Sequence, residues 1–112
     1  MSRILQRGAV SLPVDFDAVK ADWAREGFSF GVFRDPPGQA WDNFVHETDE
    51  YVLVADGEMA ITVGHESFDA AAGDLVRVPR GVLHSLCTLS PGGSVWLYGY
   101  GRWCEKAEAG DE

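Results

Sequence analysis

The chain has 112 residues, 46% of them hydrophobic and 12% aromatic, enough to bury the core of one domain but not of two. Eighteen acidic residues against nine basic ones leave a formal net charge of −9, a field that repels nucleic-acid phosphates and anionic lipid surfaces. With no apolar run near the roughly 18 residues of a membrane span, neither nucleic acid nor a membrane is expected as a partner.

The opening stretch, MSRILQRGAVSLPVDF, carries two arginines but lacks the continuous apolar core of a signal peptide. A cytoplasmic protein is therefore expected, in which Cys87 and Cys104 stay reduced. Neither belongs to a CxxC pair, so both read as ordinary thiols rather than zinc ligands. Next, DFDAVKADWAREG predicts a helix: Phe16, Val19 and Trp23 recur at helical spacing, Asp15 is placed to cap the start, and Gly27 suits the position just past the end.

From Phe28 onward the pattern changes to short strands between turns. FSFGVF is followed by Asp35-Pro36-Pro37-Gly38, AWDNFVH leads into EYVLVA, and Asp56-Gly57 marks a hairpin before EMAITV. LVRV follows Gly73-Asp74 and ends at Pro79-Arg80-Gly81, LHSLCTL meets Ser90-Pro91-Gly92-Gly93, and SVWLYGY precedes a polar, acidic tail. Seven or eight such strands without intervening helices predict an all-β sandwich or barrel and exclude parallel βαβ units. EYVLVA and SVWLYGY are apolar on both faces, so their second face needs a cover: another sheet, the helix or a partner subunit. A homodimer is expected on that ground.

The chain has three histidines. His65 follows Gly64 in a turn and reads as a surface residue, whereas His46 and His84 adjoin strand patterns with hydrophobic neighbours. Taken singly, a histidine in such a place is more often a satisfied structural residue than a ligand.

The spacing of their neighbours changes the weighting. Gly73, Pro79, Gly81 and His84 match the pattern G-x5-P-x-G-x2-H-x3-N, with Thr88 in place of Asn. Glu50 and Gly57 match the end of G-x5-H-x-H-x3,4-E-x6-G, with His46 at its second histidine and Phe44 at its first. These are the two motifs of the cupin superfamily, which the chain resembles closely from Trp41 to Thr88, with residues 58 to 72 as the short spacer of compact bacterial members. The resemblance implies a double-stranded β-helix (jelly-roll) barrel with one N-terminal helix packed outside. The whole chain would be one such domain: strand and helix within 1–27, barrel over about 28–101, tail over 102–112.

The resemblance also implies a metal pocket. His46, Glu50 and His84 would hold one divalent ion (Fe, Mn, Ni or Zn), since imidazole and carboxylate suit first-row metals. Phe44 would point into the same pocket without ligating, alongside Trp96, Tyr98 and Tyr100 from the last strand. Tyr98 and Tyr100 are candidate proton donors. Asp42 and Glu47 are possible extra oxygen donors, Trp41 and Phe33 belong to wall or core, and Arg77 and Arg80 are expected mainly in surface ion pairs. The function implied is binding or transformation of a small polar organic molecule, as in a metal-dependent dioxygenase or isomerase. The alternative is a non-catalytic binding or sensing domain with a metal-free pocket.

Overall fold

The computed structural model describes residues 4–103; Cys104 and the remaining tail lie outside them. The described chain contains one helix, α1 (Phe16–Arg25), and nine strands. They are β1 (Leu5–Gln6), β2 (Gly31–Asp35), β3 (Ala40–Phe44), β4 (Asp49–Asp56), β5 (Glu58–Val63), β6 (Glu66–Ala71), β7 (Leu75–Val78), β8 (His84–Thr88) and β9 (Ser94–Gly101). One sheet has the order β1-β7-β4-β9-β2 and the other β3-β8-β5-β6. Every ladder in the two sheets is antiparallel. This is the expected all-β architecture with one helix.

One strand, β6, lay outside the sequence pattern. In β6, only Phe68 and Ala70 of ESFDAA turn toward the core, and Asp69 between them is a poor strand former. Pairing with β5 across the turn at Gly64 and His65 supplies what propensity does not. β1 is two residues long and exists through its ladder with β7. His65 is exposed, as expected. At the Asp56-Gly57 turn, Gly57 has φ +87°, and a Cβ there would lie 2.5 Å from the Gly93 carbonyl oxygen. Only glycine fits that crossing.

β4 sends alternate residues into two different cores. Val52 and Val54 enter the barrel with Met59, Ile61, Val76, Leu86 and Trp96. Tyr51 and Leu53 point the other way with Leu97, beneath Val19 and Trp23 of α1. Each fully buried Val or Leu contributes about 1.5–3 kcal/mol. The helix is capped as predicted: the Asp15 side chain accepts a hydrogen bond from the Ala18 N–H at 3.1 Å, and Gly27 follows the end with φ +82°. Trp23 lies 5.2 Å from the Tyr51 ring in a stacked pair. It also lies over Gly99 of β9, where a Cβ would come within 2.8 Å of its Cε3. The chain's own helix therefore covers the outer apolar residues of β4 and β9, and those runs need no second subunit for that purpose.

Candidate metal centre

Three segments bring the motif residues together. β3 pairs with β8, but the register shifts between Trp41 and Phe44. Asn43 sits in that bulge with φ +59°, a left-handed conformation asparagine tolerates, and its N–H donates to Ser85 Oγ at 2.9 Å. Residues three apart in a regular strand face opposite ways. The bulge instead lets Trp41 and Phe44 line the same cavity. Past the end of β3, the His46 carbonyl accepts from the Gly81 N–H at 2.9 Å, which ties the first motif to the turn after Pro79. That turn leads into β8, whose first residue is His84. Glu50 comes from β4, directly opposite Val78 on one side and Tyr100 on the other.

The resulting geometry is tight. Glu50 Oε1 lies 3.5 Å from His46 Nε2 and 3.3 Å from His84 Nε2. The two imidazole rings are 5.0 Å apart, and one ligand atom from each of the three residues falls within 4.8 Å of the others. Glu50 and His84 are buried, while the His46 side chain keeps 29% exposure at the rim. Despite both close nitrogens, Glu50 Oε1 is buried without a hydrogen-bond partner. His84 Nδ1 faces the Val82 carbonyl at 3.2 Å. A carbonyl can only accept, so the neutral ring carries its proton on Nδ1 and turns the Nε2 lone pair toward the carboxylate.

Lone pairs and a carboxylate oxygen converging this closely repel unless a proton or cation lies among them. The ligand atoms of a tetrahedral site with bonds of about 2.1 Å stand about 3.4 Å apart. Both carboxylate–imidazole distances match that, so the donor set fits a first-row divalent metal once the widest separation, 4.8 Å, narrows around the ion. The Val82 contact is the outer hydrogen bond that commonly fixes a ligating imidazole. Burial opposes a charge on His84, yet contact with Glu50, the Val82 carbonyl and the Glu50 charge outweigh it, and its pKa is raised.

Above the triad lies a cavity of about 160 Å³, walled by Phe33, Trp41, Phe44, Leu86, Trp96 and Tyr100. Phe44 stands at the mouth, its ring 6.3 Å from both imidazoles. Tyr100 meets His46 edge-on at 5.0 Å. Its hydroxyl pKa is pushed up to about 12, by burial first and then by the charges of Glu50 and Tyr98. Tyr98 departs from the expectation: it stacks on Phe33 at 4.9 Å and is not among the side chains lining the cavity. Alternation put 96, 98 and 100 on one face correctly, but the curved sheet leaves Tyr98 behind Phe33.

The other charged candidates stay out. Arg77 bonds Gln6 Oε1 at 3.0 Å on the outer face, 5.9 Å above the Tyr51 ring. Arg80 donates from backbone and side chain to Asp49 Oδ1, at 2.8 and 3.3 Å. Asp42 and Glu47 are exposed and outside the triad. Asp35, which the sequence marks only as a turn residue, has a second role. Its Oδ2 accepts from the indole N–H groups of Trp41 at 2.9 Å and Trp96 at 2.8 Å, pinning two walls of the cavity. Nothing local marks an aspartate before two prolines for that role.

Comparison with known proteins places this geometry in context. The sequence model of the family described as "Cupin domain" matches residues 31–98. An uncharacterized protein of Streptomyces coelicolor is 35% identical over 75 residues, 66% of this chain and 71% of that protein. Among solved structures, TT1209 from Thermus thermophilus is 26% identical with a TM-score of 0.61, covering 67% of this chain and 73% of that one. A mutant of Bacillus subtilis oxalate decarboxylase is also 26% identical, with a TM-score of 0.60, over 68% of this chain but only 21% of the decarboxylase.

Proposed function

The chain belongs to the cupin family, and from that premise we propose that it is a metal-binding cupin whose cavity binds or transforms a small organic molecule. His46, Glu50 and His84 would hold the ion, with iron, manganese, nickel and zinc all compatible with two imidazoles and a carboxylate. The observation that carries this reading is Glu50 Oε1, buried without a hydrogen-bond partner between two imidazole nitrogens. When bound, such a metal supplies Lewis-acid or redox activation of an oxygen-bearing ligand.

The chain's own residues do the remaining work. The Val82 carbonyl orients His84. The aromatic walls keep water from Glu50 and His84, which strengthens the charge interaction between them. Tyr100 keeps its proton at neutral pH, so its hydroxyl can donate to a ligand oxygen developing negative charge. Arg77 and Arg80, both engaged elsewhere, take no part. No helix among the described residues is long and apolar enough to cross a membrane; a cytoplasmic location is part of the proposal.

Metal analysis of protein made without a histidine tag tests the reading. Close to one equivalent of a transition metal is expected in the wild type, and most of it should be lost in His84→Ala and Glu50→Ala while circular dichroism still reports a folded barrel. Under a tenth of an equivalent in the wild type, after growth in supplemented medium, would leave the metal-free binding domain as the better account. Unfolding of both variants and of stripped wild type would mark the metal as structural instead.

A further inference from the structure

Among the described residues the cavity has one polar end and no second one. Its lining polar groups are those of His46, Glu50 and His84 and the hydroxyl of Tyr100, whose ring lies 5.0 Å from that of His46; the rest of the wall is rings and Leu86. The indole N–H groups of Trp41 and Trp96 are spent on Asp35. Phe33 packs 5.4 Å from Trp41 and 4.9 Å from Trp96, so the far wall is made of packed rings. No arginine or lysine among the described residues lines the space.

Charge and volume then constrain the occupant. A divalent ion on one carboxylate and two neutral imidazoles leaves one net positive charge, which one anionic oxygen neutralises. A second charged group on the same ligand would lie among rings with no partner, and burying it so is strongly unfavourable. The volume of about 160 Å³ resembles the cavity of about 150 Å³ that takes up benzene.

We infer that the ligand is a flat molecule of about one ring with a single oxygen-bearing head, such as an aromatic monocarboxylate or a phenol, its head toward the triad and its ring among Phe33, Trp41 and Phe44. The inference rests on the metal reading above, because the ion supplies the positive charge at the polar end.

Calorimetric titration of the zinc-loaded protein with benzoate and with succinate, at one pH, tests it after metal content has been measured. Benzoate should bind about tenfold more tightly than succinate, whose second carboxylate finds no partner. Phe44→Leu should weaken benzoate several-fold by removing a ring face, whereas Phe44→Tyr should retain it, both with unchanged metal content. Equal or tighter succinate binding on metal-loaded protein, or benzoate indifferent to Phe44→Leu, would overturn the ligand class alone. A protein that takes up no zinc would overturn the metal reading and this inference with it.

Discussion

Phe44 occupies a position where the two-motif pattern carries a histidine, and its ring lies 6.3 Å from each of the imidazoles it would otherwise join. A histidine there would add a fourth protein donor. Phe44→His is therefore expected to slow metal release to a chelator and to occupy a position a ligand would use. Phe44 is 38% exposed, so losing its ring should cost only about 1 kcal/mol, well below the penalty of a core phenylalanine. Release curves against a chelator series, taken on folded wild type and variant, check this. Superimposable curves would mean that residue 44 does not face the ion. Tyr98 and Tyr100 make the complementary point, since two residues of one type and one strand face differ because Phe33 screens only the first.

At the scale of elements, α1 and the five-stranded sheet are joined by a polar contact as well as by Trp23. Tyr51 donates its hydroxyl hydrogen to Glu26 Oε1 at 2.6 Å, linking β4 to the C-cap of α1. The Tyr51 pKa is raised, by burial first and then by the hydrogen bond to Glu26; Trp103 opposes this, the Glu26 charge adds to it, and Arg77 opposes it least. A phenol whose folded pKa exceeds its unfolded value of about 10 holds its proton more tightly in the native state. Its contribution is therefore complete below pH 10 and is lost as pH rises through the higher native value. Tyr51→Phe should be less stable than wild type by about 1 kcal/mol near pH 8, the bond being partly screened at the exposed Glu26. That gap should close above pH 10. Urea unfolding of both proteins from pH 8 to 11 measures it, and a gap that stays constant would mean the hydroxyl carries no linked proton.

For the whole molecule, α1 has taken over the burial first credited to a second subunit. The expected homodimer now rests on Val45 and Leu83, which stay 55% and 50% exposed beside the motif residues of the cavity mouth. Light scattering is expected to give twice the mass of one chain, falling to a single chain when both residues become serine. A one-chain mass for wild type at every concentration would make these ordinary scattered surface hydrophobics.

The amino-acid sequence by itself determined what depends on neighbours along the chain. Asp15, the 16–19–23 spacing and Gly27 specify α1, because capping and helical periodicity are local. The glycines at 57, 73 and 81, with Pro79, specify turns and a family motif for the same reason, and with the motif came His46, Glu50 and His84. Only the tertiary structure decided what depends on closure of the barrel. The Asn43 bulge aims Trp41 and Phe44 together, Asp35 reaches Trp96 across 61 positions, and β6 is a strand because β5 offers it a ladder. The same closure leaves Glu50 Oε1 buried between two imidazoles without a hydrogen bond. Some of these contacts, such as Asp35 with Trp96 and Glu50 with His84, join residues far apart in sequence, and the local ones carry no propensity signal of their own. Their energy appears only when pairing and packing bring the groups within a few ångströms.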